Sequence, residues 1–425
     1  MSPRRAALAA AAVGLALVAS CIRQEAPPAV PAPAPSGPAG PAGPEPQVRV
    51  ALQVGATSLM IGGGAPLTVT EPDGTPIARL TAGEAWRVVI AGQGLALVSP
   101  TGRTTDRADA LSIIPEDQRD ALRAGRRDYR GAFDVLRDRT GLTLINRVGL
   151  EAYLEGVVGG EMGRRDSSEI EALRAQAVAS RTYALRNMGR WRADGFDFYA
   201  TVADQVYGGV TAENRLAVQA VRDTRGQVVT SGGAPIDAFF FSTCGGRTAD
   251  GTEAFRGATQ PYLRSIADVD ASGTAYCSIS PRFHWRDEWS GDALQAILTR
   301  TLRDAGLLTT GRLGRIRDVS AVGRTASGRV AQLSIATSYG EIIVDGPRIR
   351  RVLETTNGDI LRSNIFQLSA SGQGGQLTRL VAEGMGAGHG VGMCQWGAVG
   401  RARAGQNYRE ILAAYYPGTD LQRYY

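Results

Sequence analysis

The stretch GVVGGEMGRRDSSEIEALRAQAVASRTYALRN, residues 156–187, decides how the rest of the chain is interpreted. The β-branched valines at 157–158 predict a short buried strand. Glycines stand on both sides of Glu161, where they let the backbone turn and let another molecule approach closely. Ser168 then predicts the start of a helix, because Glu171 follows it at the spacing of a capping box.

The helix predicted after Ser168 is rich in alanine, which favours helical backbone and allows close packing. At about 100° per residue, one of its faces is apolar. A second face carries hydrogen-bonding side chains, which are Gln176, Ser180, Tyr183 and Asn187. Arg174 and Arg181 lie at the edge of the apolar face, and each should bind a carboxylate or a ligand, because an unpaired buried guanidinium is costly. Spacing alone favours an ordinary packed helix with two arginines that reach solvent.

The first 20 residues have the pattern of an export signal. Two arginines precede an apolar run at 6–19, which is too short to span a bilayer comfortably. Cys21 follows small residues where the apolar run ends, which predicts a lipoprotein lipidated at this cysteine; a plain secretory signal is the alternative. Proline and alanine dominate residues 21–47, a composition typical of an extended tether. We therefore expect an exported protein that a lipid anchor holds at a membrane of the cell envelope.

The remaining residues, 48–425, are enough to bury a large core. Apolar and polar residues alternate between turn signals in residues 48–128, which predicts a β-rich N-terminal subdomain. Residues 129–425 mix helical and strand patterns, so the fold class is predicted as α+β. The net charge of +6 falls by two without the predicted signal. This mild basic bias suits an acidic polymer and, without basic runs interleaved with aromatics, does not indicate nucleic acid.

A glycine stands at nearly every second position of GMGAGHGVGMCQWGAVG, residues 384–400. The segment lacks the Gly-Lys-Ser/Thr ending of a phosphate loop. His389 and Cys394 have no evident third orienting residue, so a cysteine-protease pair is not favoured. Because a glycine run is entropically costly, we expect the segment to fold against the groove at Glu161, with His389 and Gln395 facing a ligand or orienting the carboxyl group. A tight packing corner with His389 in the core is the alternative.

The cysteines allow more than one state. With Cys21 assigned to lipid, Cys244, Cys277 and Cys394 remain, and in an oxidising compartment two of them usually pair. A zinc site built from these three and His389 has suitable ligand types but lacks a paired C-x-x-C spacing. We therefore predict no metal or other cofactor, with zinc as the weaker alternative to a disulfide.

Several motifs together resemble the SpoIID/LytB family of bacterial cell-wall proteins. GGEM followed by EALRAQAVASRTYALR is similar to the family signature. Further similar motifs are DQVYGG at 204–209, STCGGRT at 242–248, the glycine-rich segment at 384–400 and AYYPGTDL at 414–421. LEAYLE, before the central stretch, also fits, and its Glu151 and Glu155 are expected on a helix surface.

The resemblance implies a mixed α/β catalytic domain with a groove and peptidoglycan glycan strands as the partner. It implies that Glu161 is the acid/base of a lytic transglycosylase, which cleaves the MurNAc–GlcNAc bond and leaves a 1,6-anhydroMurNAc end. It also implies a disulfide between Cys244 and Cys277. The residues expected to bind substrate are Gln176, Arg181, Tyr183, Gln205, Tyr207, Ser242, Thr243, His389 and Gln395.

One carboxyl group suffices only for a particular mechanism. Glycoside hydrolases normally use two, whereas the muramic acid 6-hydroxyl can attack its own anomeric carbon. Glu161 must then start protonated, so apolar neighbours such as Met162 should raise its pKa by desolvation. Arg164 and Arg165 would lower this pKa, and we expect them to point away or to bind carboxylates of the glycan. The LytB branch provides the alternative, a non-catalytic peptidoglycan-binding enhancer of a partner amidase.

Overall fold

The computed structural model describes residues 43–308 and 311–425, in which helices and several sheets form an α+β architecture. The predicted fold class is therefore confirmed. The predicted signal segment, the lipidation site Cys21 and the tether up to residue 42 lie outside the described residues. Within the described ranges, no helix is both long enough and apolar enough to cross a membrane.

The first block of the described chain consists of strands. They are β1 (Gln47–Ala56), β2 (Ser58–Gly63), β3 (Leu67–Thr70), β4 (Pro76–Leu80), β5 (Ala85–Ala91), β6 (Gly94–Val98), β7 (Leu111–Pro115), β8 (Leu122–Ala124), β9 (Arg127–Tyr129), β10 (Ala132–Arg137) and β11 (Leu142–Gly149). Along β1, Val48 and Val50 are fully buried and Arg49 between them is not, as expected of a strand with one face on the core.

These strands form two sheets. The larger has the order β12–β1–β11–β10–β7–β3–β4, and its edge strand β12 (Phe198–Tyr199) comes from after the central helices. β1 is antiparallel to β11, with Val48 opposite Val148. The smaller sheet has the order β6–β5–β2–β8–β9. Because β7 pairs with β10, the larger sheet takes strands from both sides of the domain boundary predicted at 128/129.

Helix α1 (Leu150–Met162) includes the valines at 157–158, so the strand predicted there is wrong. The helix is buried around most of its circumference, and a short apolar run does not distinguish a buried helix from a buried strand. Its glycines lie where neighbours press closest: a Cβ on Gly159 would lie 2.0 Å from the carbonyl oxygen of Ala212. Glu161 consequently stands on the last helical turn and not in a glycine corner.

Helix α2 (Ile170–Asn187) follows a cap that lies two residues before the predicted one. The side chain of Asp166 accepts a hydrogen bond from the Ser168 N–H at 3.1 Å, and Glu169 completes a capping box around a 3-10 turn. The sequence contains two overlapping capping-box spacings, and the structure uses the one that begins with aspartate. The prediction that Ser168 caps the helix is therefore wrong by two positions.

Arg174 and Arg181 of α2 bind carboxylates, as predicted. Arg174 Nε donates to Asp223 Oδ2 at 3.0 Å, and Arg181 Nε donates to Glu151 Oε1 at 2.8 Å. Glu151 and Glu155 are buried, so the prediction that they lie on a helix surface is wrong. Each carboxylate is instead an ion-pair partner for an arginine from another element.

The remaining elements follow α2 in mixed order. They are α3 (Arg215–Asp223), β13 (Gln227–Ser231), β14 (Ala234–Pro235), β15 (Phe240–Phe241), α4 (Gly251–Ala254), β16 (His284–Ser290), α5 (Gly291–Asp304), β17 (Ile316–Arg324), β18 (Val330–Thr337), β19 (Gly340–Asp345), α6 (Gly346–Val352), β20 (Ile365–Gln373), β21 (Gln376–Met385), β22 (Met393–Cys394), α7 (Gln395–Arg403), α8 (Tyr408–Tyr415) and β23 (Asp420–Arg423).

Two large hydrophobic cores and one small cluster, formed by Ala51, Ile145 and Phe196, hold the described elements together. The larger core surrounds α1 and α2 and includes the inner faces of the first two sheets, α7 and α8. The smaller core lies among β16 to β21, α5 and α6. Strands β15 and β22 pair in parallel, with Phe241 opposite Cys394. This pairing fixes the start of α7 beside α1 and α2, which is where the candidate site lies.

Candidate active site

Three distant segments meet at Glu161. The carboxyl oxygen Oε1 accepts a hydrogen bond from the backbone N–H of Val206 at 2.8 Å, and Oε2 accepts one from Gln395 Nε2 at 3.1 Å. The carboxyl group is largely enclosed by protein but keeps some exposure to solvent. Burial raises the pKa of Glu161 above its usual value, and the two neutral donors offset this only in part.

No arginine forms an ion pair with Glu161 within the described residues. Arg164 is exposed. The guanidinium carbon of Arg165 lies 4.2 Å from the ring centroid of Trp396, and its Nε is buried without a hydrogen-bond partner. The sequence predicts that neither arginine pairs with Glu161, and in the structure neither forms an ion pair that would lower the Glu161 pKa.

Asp204 anchors the loop that carries Val206. Its carboxylate accepts hydrogen bonds from the Tyr199 N–H and from Trp191 Nε1, each at 2.9 Å. The Tyr183 hydroxyl donates to the same carboxylate at 3.3 Å. Tyr183, predicted to bind substrate, is thus a buried support for the loop.

Gln205 and Tyr207, on either side of Val206, are turned inward. Gln205 accepts a hydrogen bond from the Tyr153 hydroxyl at 3.1 Å, and the Tyr207 hydroxyl donates to Asn146 at 2.8 Å. Both side chains are almost fully buried. Gln176 is also fully buried and donates to Ser180 at 3.0 Å. Gln205 and Tyr207 therefore anchor the loop from its inner side and hold its backbone N–H toward Glu161. Gln176, also predicted to bind substrate, forms its hydrogen bond within α2.

The strand end at 242–243 positions α7 instead of presenting hydroxyls to a groove. The carbonyl oxygen of Ser242 accepts the Trp396 N–H at 3.0 Å. The Thr243 hydroxyl is buried and shares a hydrogen bond of 2.8 Å with the Ser280 hydroxyl. Ser242 is therefore next to the site through its backbone, whereas Thr243 belongs to the core.

The glycine-rich segment packs against the protein's own backbone, and its glycines make this close approach possible. Gly386, Gly388, Gly390 and Gly392 all have positive φ, between 76° and 111°. A Cβ on Gly392 would lie 2.1 Å from the carbonyl oxygen of Phe239, and one on Gly386 would lie 2.6 Å from that of Thr243. The segment does reach Glu161, as predicted, but only through Gln395.

His389 belongs to the packing corner and not to the contacts of Glu161. Its Nε2 lies 3.0 Å from the carbonyl oxygen of Phe240, and its Nδ1 accepts the Val391 N–H at 3.2 Å. This pattern defines a neutral ring that donates from Nε2. Burial lowers the pKa of His389 to about 3. The prediction that His389 orients Glu161 or faces the ligand is not what the structure shows, because backbone groups use both ring nitrogens.

Replacing His389 with Ala is expected to lower the free energy of unfolding by about 1–3 kcal/mol, because two partly buried backbone groups lose their partner. Chemical denaturation measures this loss, and His284→Ala provides the control, since His284 is exposed. The wild type should also lose stability as pH falls from 6.5 toward about 3, where only the unfolded chain binds the proton, and the variant should lack this component. An unchanged unfolding free energy with lower activity would contradict the packing role.

Arg181 is predicted to bind substrate, but the structure places it in the protein interior. It is fully buried, with Nη2 donating to Glu151 Oε2 at 2.7 Å and to the Val221 carbonyl oxygen at 3.2 Å. The backbone N–H of Gly226 also donates to Glu151, at 3.2 Å. Arg181 is thus saturated by protein groups and is a structural residue, not a substrate ligand.

Sequence reasoning missed two contributors near Glu161, which are the backbone of Val206 and the ring of Trp396. The N–H of Val206 is a backbone donor, which no side-chain pattern reveals. Trp396 and Arg165 stack on each other beside the site. The signal for this pair was present, because Trp396 directly follows Gln395 and Arg165 follows Glu161 by four positions.

The predicted disulfide between Cys244 and Cys277 is absent. Both cysteines are free and buried, and their sulfur atoms lie 3.4 Å apart. Cys394 is buried in the same place and accepts a hydrogen bond from the Cys244 N–H at 3.1 Å. The physical reason is that three thiols and the carboxyl group of Asp268 share one space, which a pairwise prediction does not consider.

Comparison with known proteins agrees with the motifs. Residues 138–231 match the family described as Stage II sporulation protein, and residues 274–392 match a Domain of unknown function (DUF8618). The family match includes α1, α2 and the loop that carries Val206. It therefore covers Glu161 and its backbone donor.

Three relatives have similar identity. An uncharacterized protein of Brachyspira hyodysenteriae is 29% identical over 303 residues, 70% of this chain and 73% of its own length. The amidase enhancer of Bacillus subtilis is 29% identical over 294 residues, 64% of this chain but only 40% of its own length. Stage II sporulation protein D of Bacillus amyloliquefaciens is 28% identical over 319 residues, 69% of this chain and 83% of its own length. The family match and these relatives together support the assignment of this chain to the SpoIID/LytB family.

Proposed function

We propose that this protein is a peptidoglycan lytic transglycosylase in which Glu161 is the single acid/base. The observation that carries the proposal is a largely enclosed carboxyl group with a raised pKa, held by two neutral donors. A general acid must be protonated at the working pH, and burial favours the protonated form. Relatives named as a sporulation protein and an amidase enhancer support a role at the cell wall.

The chemistry needs two proton transfers through Glu161, one to the leaving oxygen and one from the attacking hydroxyl. Protonated Glu161 donates its proton to the glycosidic oxygen as the bond to the muramic acid anomeric carbon breaks. The 6-hydroxyl of the same sugar attacks that carbon, and the Glu161 carboxylate takes the hydroxyl proton. The product is a 1,6-anhydro end, and the acid is regenerated. The Val206 N–H and the Gln395 amide stabilise the carboxylate that exists between these two transfers.

The lack of a second available carboxylate favours the internal hydroxyl over water. Hydrolases place a second carboxylate across the scissile bond as nucleophile or base. Asp204 is on the same loop as Val206, but its oxygens are occupied by Tyr199, Trp191 and Arg190. Within the described residues, no carboxyl group contacts Glu161.

Arg165 is the group best placed to bind an anionic part of the substrate. Its Nε has no hydrogen-bond partner, and Trp396 supports its guanidinium from one side. Trp396 adjoins Gln395, which contacts Glu161, so the arginine lies beside the reacting centre. Muramic acid carries a lactyl carboxylate, or a stem peptide with carboxylates, and a planar guanidinium binds such groups well.

The products of digestion test the proposal. Purified glycan strands, with and without stem peptides, would be incubated with the protein and analysed by mass spectrometry. Release of fragments that end in anhydroMurNAc is the expected result. Reducing MurNAc ends would indicate hydrolysis by water, and intact strands from both substrates would contradict a transglycosylase.

A second candidate function is enhancement of a partner amidase without catalysis by Glu161. The relative named amidase enhancer favours it. In this case a mixture with a cell-wall amidase would release stem peptides faster than the amidase alone, and Glu161→Gln would enhance as well as the wild type. Dependence of the enhancement on the Glu161 carboxyl group would instead support the transglycosylase.

We also propose export and a lipid anchor at Cys21, because small residues precede this cysteine at the end of an apolar run. Replacing Cys21 with Ser is expected to move the protein from the membrane fraction to the soluble fraction. Fractionation followed by immunoblotting measures this change. A Cys21→Ser variant that stays membrane-bound would contradict the anchor.

A further inference from the structure

Four potential metal ligands converge in one buried cluster, formed by Cys244, Asp268, Cys277 and Cys394. One ligand atom from each residue lies within 4.8 Å of all the others. The cysteines are buried and free, and Asp268 is fully buried. The four residues come from the end of β15, a loop, the 3-10 turn Tyr276–Ile279 and the end of β22. The fold therefore brings together ligands that the sequence separates by up to 150 positions.

The spacing of these atoms suits one tetrahedral ion. With Zn–S bonds of about 2.3 Å, two sulfur ligands of a tetrahedral zinc lie about 3.8 Å apart, and a sulfur and an oxygen lie about 3.6 Å apart. The Cys244 and Cys277 sulfurs are separated by 3.4 Å, and Cys244 Sγ lies 3.2 Å from Asp268 Oδ2. Small outward movements of the side chains would bring these separations to the tetrahedral values.

Surrounding groups already stabilise anionic ligands. Cys394 Sγ accepts hydrogen bonds from the N–H groups of Cys244 and Gly397, at 3.1 and 3.2 Å. Such N–H···S bonds favour a thiolate over a thiol. Asp268 Oδ1 accepts from Arg401 Nε at 3.0 Å and from the Tyr415 hydroxyl at 2.9 Å. Outer contacts of this kind orient the ligands of metal sites.

We propose that Cys244, Asp268, Cys277 and Cys394 bind one Zn²⁺ ion as a closed structural site. Three sulfurs and one carboxylate oxygen complete a four-coordinate sphere, which leaves no position for substrate or water. Thiolate ligands select zinc over calcium and magnesium, which prefer oxygen. Each thiol that binds the ion releases its proton to solvent. The proposal does not rest on the proposed catalytic function.

The position of the cluster gives the ion a structural role. Cys394 caps α7 through the Gly397 N–H, and the next residue, Gln395, donates to Glu161. Cys244 ends the segment whose Ser242 carbonyl oxygen accepts the Trp396 N–H. A zinc ion at the cluster would tie these two segments together and hold Gln395 in register with α1.

Metal analysis of the wild-type protein tests the proposal directly. The full chain, purified without chelators and under reducing conditions, would be dialysed and analysed by inductively coupled plasma mass spectrometry. We expect about one zinc per chain. Cobalt added to the metal-free protein should give the sulfur-to-cobalt charge-transfer and intense d–d absorption of a tetrahedral thiolate site. Removal of zinc should lower the melting temperature, and zinc should restore it.

A matched pair of variants locates the ion. Asp268→Asn should lower the zinc content and shift the cobalt spectrum, whereas Asp270→Asn, two positions away at an exposed turn, should retain both. Wild-type measurements decide the case even if Asp268→Asn fails to fold. Substoichiometric zinc in the reduced wild type after zinc addition would overturn the proposal. So would peptide mapping without reductant that finds Cys244 disulfide-bonded to Cys277 in the protein isolated from its native compartment.

Discussion

Replacing Glu161 with Gln is expected to lower the rate of anhydro-end release by about 10²–10⁴-fold, the usual contribution of a general acid/base. The amide has nearly the same shape but can neither protonate the leaving oxygen nor take the proton of the 6-hydroxyl. The hydrogen bond from Val206 can persist, because the amide oxygen accepts as the carboxylate does. Gln395 can turn its own amide so that its oxygen accepts from the new amide group. The fold and glycan binding should therefore be retained.

The matched control is Glu155→Gln. Glu155 lies on the same helix, is buried, and also has a pKa raised chiefly by burial, but it is paired with Arg222 and does not contact the site. Its replacement should leave the rate of anhydro-end release close to that of the wild type. Rates would be measured from the mass-spectrometric product yield over time. Equal activity of Glu161→Gln and Glu155→Gln would remove Glu161 from the chemistry.

The stability of Glu161→Gln provides an independent check on the raised pKa. A carboxyl group whose pKa is higher in the folded state binds more protons when folded, so it reduces stability as pH rises above 4.5, the ordinary value. Glutamine has no such dependence. The melting temperature of the variant should therefore increase relative to that of the wild type as pH rises through the range above 4.5. A difference that is independent of pH would contradict the shift.

The second large effect concerns the ion pair between Glu151 and Arg181. Changing Glu151 to Gln is expected to lower the free energy of unfolding by about 3–5 kcal/mol, because it leaves a buried guanidinium uncompensated. Arg181 is fully buried, and its two hydrogen bonds to Glu151, at 2.8 and 2.7 Å, form a bidentate, charge-assisted pair. The Tyr425 hydroxyl also donates to Glu151. Urea unfolding of both proteins measures the loss.

Asp128→Asn is the corresponding change in an exposed ion pair. Asp128 pairs with Arg123 on the surface, where such contacts contribute about 0–1 kcal/mol. Both substitutions replace a carboxylate with an amide, so the difference between their losses of unfolding free energy measures the effect of burial. Similar losses for the two variants would show that the Glu151 site is more hydrated than its geometry indicates. Glu151→Gln should not change the pH dependence of anhydro-end release in the fraction that remains folded.

Some of this structure could be predicted from the sequence, and the reasons are physical. The cost of burying an unpaired guanidinium predicts that Arg174 and Arg181 find carboxylates, and they do. The motif resemblance brings Glu161 and Gln395 to one site, where they form a hydrogen bond. Both inferences depend on side chains whose chemistry demands a partner or matches a known pattern.

Other features could not be predicted, because their signals are ambiguous or lie in the backbone. Around the valines at 157–158, α1 is apolar on nearly every side. A short apolar run of this kind fits a buried strand equally well. The donor at Val206 is a backbone N–H, which every residue except proline has, so the residue type does not reveal it. The glycines at 384–400 indicate close approach correctly, but the sequence does not say whether a ligand or another strand approaches. Asp268 becomes visible as a ligand only once the fold places it beside the cysteines.

The close approach between α1 and the loop that carries Val206 depends on the absence of a Cβ atom at Gly160. Gly160 precedes Glu161, and a Cβ at this position would lie 2.9 Å from the carbonyl oxygen of Val206. A methyl group there would push the loop outward and lengthen the hydrogen bond from the Val206 N–H, which would raise the pKa of Glu161 further. The acidity of the site is thus adjustable through steric volume, without any change of charge. The pH–rate profile of Gly160→Ala would record the adjustment as a shift of its upper limb toward higher pH.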